Sequence, residues 1–148
     1  MKVTVKDCLS LEAFKDARLV VGAKQAENRV KAVSVLETTN IEEVKSRFAH
    51  EGELVLSGYF IKNADEKSQL EIVKTLAEAG TAGLVLFYVE APEVELKRDV
   101  LSVAEKVGLP IIVMAPRKDL KYSDVINQVM ENVLYGDNQL LMLNINVR

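Results

Sequence analysis

His50, Glu51 and Glu53 stand together in "AHEGEL", and a histidine beside two carboxylates suggests either a metal ligand set or a proton shuttle. The spacing speaks against both. Tetrahedral metal sites draw their ligands from separated positions, whereas these three crowd into one loop and the start of a strand. As an acid/base pair, Glu51 and Glu53 are alternate residues of an extended segment and point to one face, with no partner identifiable nearby. Glu51 reads as the solvated start of a strand, while Glu53 stays open between that and a functional carboxylate. Nucleophilic catalysis needs a Ser, Cys or Thr held beside a base, and the chain has one histidine and one cysteine. His50 reads as an exposed or locally bonded loop residue, and Cys8, beside Leu9, as a small buried hydrophobe. Neither catalysis nor a metal or other cofactor is expected.

Phosphate-binding loops are also missing, since neither G-x-x-x-x-G-K-[ST] nor G-x-G-x-x-G occurs. Gly80 and Gly83 in "AGTAGLV" read as a helix cap and a tight turn into a strand. The net charge is −3, whereas a domain that neutralises phosphates carries a basic excess. The basic pairs Lys97–Arg98 and Arg117–Lys118 have no interleaved aromatic platform and read as solvated surface. Direct nucleic-acid binding by this segment is therefore not expected. Apolar runs are only a few residues long, and "MKVTVKDCLS" lacks a signal-peptide pattern. No membrane association is expected, and the expected location is cytoplasmic, in keeping with the lone cysteine.

The elements that must position these residues follow from the apolar pattern. At 148 residues, 49% hydrophobic and 28% charged, the chain has the size and composition of one soluble domain. From residue 53 onward, short apolar runs alternate with segments of helical period, the signature of βαβ units and a parallel sheet. "ELVLS", "GLVLFYV" and "IIVM" are the strands. The helix between the first two is expected to be capped by Asn63, with Glu66 at capping-box spacing, Leu70, Val73, Leu76 and Ala77 on its apolar face, and Gly80 ending it. The next is opened by Pro92, lined by Val94, Val100, Leu101, Ala104 and Val107, and stopped by Gly108 and Pro110. Ser123 is expected to cap a last helix whose face runs from Val125 to Leu134 and ends at Gly136.

The first fifty residues are less regular. Thr4 and Asp7 have capping-box spacing for a short helix, "RLVVG" and "VKAVSVLE" are β-prone, and Asn40 or Thr39 caps a helix through "IEEVKSRF". The expected fold is a single α/β domain over residues 1–135, a mainly parallel sheet of about four to five strands flanked by helices. The remainder, 136–148, is left as a final strand, an assembly arm or the start of a linker.

In an open parallel sheet a small ligand sits outside the carboxyl ends of the strands. Those ends are "LETT", "SGY", "YVEA" and "APRK". They offer a carboxylate at Glu37, hydroxyls at Thr38 and Ser57, an unobstructed backbone at Gly58, the ring of Tyr59 and a cation at Arg117. These six are the candidate ligand-binding residues. Ordinary turn chemistry between strand and helix is the competing explanation.

The order "MKVTVKDCLSL", "ARLVVGAKQAENRVKAVSVLE", "EGELVLSGYFI", "LAEAGTAGLVLFY", "AEKVGLPIIVMAP" and "YSDVINQVMENVL" resembles the amino-terminal domain of PucR-type transcriptional regulators. At "SGYFI", where family members often read Thr-Thr-Gly, a hydroxyl and a glycine are kept. The resemblance implies a non-catalytic regulatory domain that senses a small polar metabolite or mediates assembly into homo-oligomers. Family members carry their DNA-binding helix-turn-helix in a later segment. The core with "AGxxGLVL" spacing is also similar, more loosely, to DRTGG-type regulatory domains of metabolic enzymes, and a stand-alone assembly module is the remaining alternative.

Overall fold

The computed structural model describes residues 2–58, 63–89 and 96–146, with 137–146 described by backbone alone. Of the residues named above, Tyr59, Pro92 and Val94 lie outside this set.

Five strands, β1 (Arg18–Val21), β2 (Ala32–Val35), β3 (Glu53–Ser57), β4 (Gly83–Leu86) and β5 (Ile111–Val113), form one sheet in the order β1-β5-β4-β3-β2. The strands from β2 to β5 are parallel, with Leu54 opposite Gly83 and Leu84 opposite Ile111. β1 pairs antiparallel with β5 and closes that side. The all-apolar run in β4 is buried along its whole length because helices cover both faces of the sheet there.

Alternation along the strands divides the apolar side chains between two cores. Leu54, Leu56, Val85 and Ile112 face one layer, where they meet Val5, Cys8 and Phe14 from the amino-terminal turns and Val125 and Val129 from the last helix. Val55, Leu84, Leu86, Ile111 and Val113 face the other, against Val44, Ile72, Leu76, Val100 and Ala104. Each buried Val, Leu, Ile or Phe among them contributes about 1.5–3 kcal/mol by leaving water, so the three layers hold as one domain.

The helices are α1 (Val5–Cys8), α2 (Ile41–Glu43, continuing as a π turn Val44–Phe48), α3 (Glu66–Glu78), α4 (Arg98–Val107) and α5 (Tyr122–Asn146). Thr4 and Asp7 make the reciprocal capping box, with Thr4 N–H donating to Asp7 Oδ2 at 2.9 Å and Asp7 N–H to Thr4 Oγ1 at 3.2 Å. Asn40 Oδ1 accepts from the amides of Glu42 and Glu43 at 3.0 and 3.2 Å. Gly80 and Gly108 end α3 and α4 at φ +77° and +78°.

Several helix boundaries differ from the sequence expectation. Asp65, not Asn63, caps α3, accepting from Ser68 N–H at 2.8 Å. At the start of α5, Ser123 lies inside the first turn, and Asp124 accepts from Lys121 N–H at 2.8 Å instead. Val107 and Leu134 are exposed rather than part of the buried stripes. Gly136 does not end α5: the backbone stays helical through Asn146, which sets aside the final strand among the readings of the tail. One glycine costs a helix interior only about 1 kcal/mol, less than the ordered helix on its amino-terminal side supplies.

Cys8 is fully buried, and burial, with Asp7 adding to it, pushes its thiol up to about 12. It is a core residue and not a nucleophile. Glu51 is an exposed turn residue paired with Lys31 at 3.0 Å. Among the described residues, no helix is long and apolar enough to cross a membrane.

Candidate functional site

β3 delivers its end to the carboxyl edge as a buried hydroxyl followed by bare backbone. Ser57 is fully buried, and its Oγ donates to Leu36 O at 2.9 Å, tying β3 to the chain leaving β2. Its hydroxyl is thus spent on holding the edge together. At Gly58 a Cβ would lie 2.7 Å from Tyr122 Oη and 3.0 Å from Tyr88 Cδ2. Glycine is needed here so that two tyrosines can close over the main chain.

β4 leaves the sheet through Phe87 and Tyr88. Phe87 N–H donates to Ser57 O at 2.8 Å, which carries the parallel pairing one residue past the strands. Phe87 is buried and meets Tyr122, at the start of α5, edge to face with centroids 4.6 Å apart. Tyr88 takes a left-handed conformation at φ +63° and is 54% exposed, its ring 6.3 Å from that of Tyr122. A bulky residue at positive φ costs on the order of 1–3 kcal/mol, and such strain collects at functional sites. Here the turn that costs this energy is also what holds a large aromatic ring out at the carboxyl edge of the sheet.

Among the described residues two cavities open at this edge, and Tyr88 lines the first of them. One, about 390 Å³, is lined by Phe87, Tyr88, Pro116, Arg117, Lys118 and their neighbours. The other, about 320 Å³, lies among Val35, Glu37, Thr38, Glu43, Arg47 and Phe48. Burial, then Tyr88, then Glu37 push the Tyr122 phenol above its ordinary value, so the Glu37 carboxylate is felt at the aromatic cluster. A larger cavity, about 510 Å³, opens on the opposite edge of the sheet.

The five candidate residues among those described do not line one pocket. Glu37 and Thr38 line one cavity and Arg117 the other, with Gly58 placed under the tyrosines. Thr38 Oγ1 accepts from Asn40 N–H at 3.1 Å, a local turn bond. Arg117 is not the solvated cation expected from sequence. Its guanidinium donates to Glu12 O at 3.2 Å and to Glu12 Oε1 and Asp119 Oδ2, each at 3.3 Å. The bond to Asp119 is the main cause that raises its pKa. It clasps the turn Glu12–Phe14 against the β5–α5 loop, which shapes the cavity wall and leaves the neighbouring Lys118 as its exposed cation.

Tyr88, Tyr122 and Arg47 were missed as site residues. The available signal was a tyrosine directly after an apolar strand in a chain with only 5% aromatic residues. The arrangement offers aromatic faces for a planar ring, phenolic hydroxyls as donors or acceptors, and flanking charges of both signs.

A five-stranded, mostly parallel sheet between helical layers puts the chain in the class of single α/β domains. A solved structure of that architecture is the CBS and DRTGG domains of the regulatory region of Clostridium perfringens pyrophosphatase, complexed with its activator diadenosine tetraphosphate. It matches with a TM-score of 0.55 at 21% identity, over 86% of this chain and 50% of that one, a likeness of fold. The model of the purine catabolism regulatory protein-like family matches residues 7–133, and the chain belongs to that family. The purine catabolism regulatory protein of Bacillus subtilis (strain 168) is 25% identical over 134 residues, 89% of this chain. Those residues are 24% of the relative, so the chain spans about a quarter of its length.

Proposed function

We propose that this chain is a non-catalytic, ligand-responsive regulatory domain that binds a small polar metabolite at the carboxyl edge of its sheet. The observation that carries the reading is Tyr88, held at φ +63° with its ring exposed across Gly58 from Tyr122. A planar heteroaromatic ligand such as a purine would stack on Tyr88. Its polar edge would meet Glu37 and Thr38 on one side and Lys118 on the other. Ser57 and Arg117 then act by positioning the loops, and Tyr59, outside the described residues, remains a candidate contact by its place in the sequence. Family membership and a fold shared with the regulatory region of an enzyme support a regulatory role.

Thermal-shift titration against purines, ureides and amino acids tests this. A purine or ureide is expected to stabilise the protein, and Tyr88→Ala to abolish the shift while keeping a cooperative unfolding transition. No stabilisation by any compound at millimolar concentration would sink the reading.

A second reading, assembly through α5, has its own observation: Leu134 and Tyr135 are 56% and 61% exposed, and the sequence continues as "DNQLLMLNIN". Exposed apolar side chains on consecutive positions favour a partner surface. Light scattering on the chain lacking residues 137–148 decides, since an unchanged mass in solution would remove the tail from the argument.

A further inference from the structure

The amino edge of the sheet carries a cavity of about 510 Å³, larger than the two described at the carboxyl edge and within the size range of small-molecule sites. It opens where Gly52 precedes β3, Gly80 and Thr81 precede β4, and Gly108 precedes β5. Lys2, Arg29 and Lys31 line it together with a single carboxylate, Glu51. A concave cluster in which cations outnumber carboxylates focuses the field and raises the local concentration of counter-ions, and this one sits on a chain of net charge −3.

Three local features make the cluster more than scattered surface charge. The stem of Lys31 lies across Gly52, where a Cβ would come within 2.7 Å of Lys31 Cγ, so the glycine fixes the path of that side chain along the cavity wall. The Lys31–Glu51 pair is exposed, with Glu51 77% accessible, and an exposed pair of this kind is readily exchanged for another anion. Thr81 lines the cavity at 2% exposure, and its Oγ1 has no hydrogen-bond partner among the described residues. A buried hydroxyl left unpaired is destabilising and uncommon.

Backbone amides are not the recognition element. Gly52 N–H donates to Gly80 O, Gly80 N–H to Ala77 O and Thr81 N–H to Leu76 O, each at 3.1 Å. Recognition therefore falls to side chains. We infer that this cavity is a second binding site, separate from the carboxyl edge, for a small molecule carrying an oxyanion. Lys2, Arg29 and Lys31 hold the anionic group, and the Thr81 hydroxyl supplies a polar partner. Phosphate and carboxylate groups share this chemistry.

The test is a nuclear magnetic resonance titration of the full chain with inorganic phosphate, pyrophosphate and malonate, at ionic strength held constant with chloride. Saturable shifts are expected at the amides of Gly52, Gly80, Thr81 and Gly108. Tighter binding of the phosphates assigns a phosphoryl group, and tighter binding of malonate a carboxylate. The Arg29→Gln, Lys31→Gln double variant, checked by its spectrum for an intact fold, should bind about tenfold more weakly, and Tyr88→Ala should bind as the parent does. Shifts that fail to saturate, or that chloride alone reproduces, would overturn the site. Equal affinity in Thr81→Val would remove the hydroxyl from it.

Discussion

At the amino edge of the sheet the left-handed turn positions are glycines: Gly22, Gly52, Gly80 and Gly108, between +77° and +85°. At the carboxyl edge the same left-handed conformation falls on residues with side chains, Asp16 at +64° before β1 and Tyr88 at +63° after β4. Glycine adopts this conformation without strain, whereas tyrosine does not. Where only a tight turn is needed, the chain uses the residue without a side chain. Where strain is tolerated on a tyrosine, the ring itself is what the position supplies. The cationic cavity therefore sits on relaxed turns, and the aromatic one on a strained turn.

The largest effect should come from breaking the relaxed edge. A Cβ at Gly22 would lie 2.5 Å from Pro110 Cα and 2.9 Å from Leu109 C, both main-chain atoms. The same turn is tied to α4 by Gly22 N–H donating to Glu105 Oε2 at 2.6 Å. Gly22→Ala combines a left-handed alanine, about 1–2 kcal/mol, with overpacking against backbone, about 1–3 kcal/mol. Denaturant unfolding should show about 3 kcal/mol or more lost. A loss below about 1 kcal/mol would mean that this edge relaxes as easily as a surface loop.

A smaller effect is expected for the corresponding change at the other edge. The Cβ of Gly58→Ala meets Tyr122 Oη, the end of a side chain, and a carbon of the Tyr88 ring, at a φ that is not left-handed. The rings can give way, so the stability cost should be about 1 kcal/mol. The near-ultraviolet circular dichroism of the tyrosines should change, and purine binding should be lost. If Gly58→Ala proved as destabilising as Gly22→Ala, the contrast between a rigid and a yielding edge would fail.

The sheet was legible in the sequence because burial on both faces writes itself as unbroken apolar runs, as in "GLVL", and α1 because Thr4 and Asp7 are a local signal. Caps were less legible where several polar residues compete. Asn63, Asp65 and Ser123 all satisfy the pattern, and the path of the loop into the helix decides among them. α5 runs on through "YGDN" because a turn propensity is a weak local preference beside an established helix. The edge that should hold a ligand was readable from topology, but its lining was not. Arg117 looked free because its partner Glu12 is 105 residues away, and the Ser57 hydroxyl looked available because sequence does not reveal a carbonyl on the neighbouring strand. Tyr88 and Tyr122 meet only after folding brings both over Gly58. The amino-edge cavity escaped notice because the rule for parallel sheets directs attention to the carboxyl ends.

The smallest effect should be the most diagnostic of the aromatic edge. Burial is the main reason the Tyr122 phenol lies above 10.0, with Tyr88 and then Glu37 adding to it. A phenol whose folded pKa is raised contributes stability that is fully present below the unfolded value. That stability is lost as pH rises through the folded value, because the unfolded chain gives up its proton first. Ultraviolet titration should therefore show a phenol that ionises late and is absent in Tyr122→Phe. Glu37→Gln should bring it down slightly, since the carboxylate is the least of the three causes, and Tyr88→Ala should bring it down further by admitting water. Lys31→Gln, at the amino edge, should leave it where it is. A Tyr122 that titrates like a free tyrosine would mean the rings do not close over Gly58, and the strain at Tyr88 would then lack the purpose that the comparison of the two edges gives it.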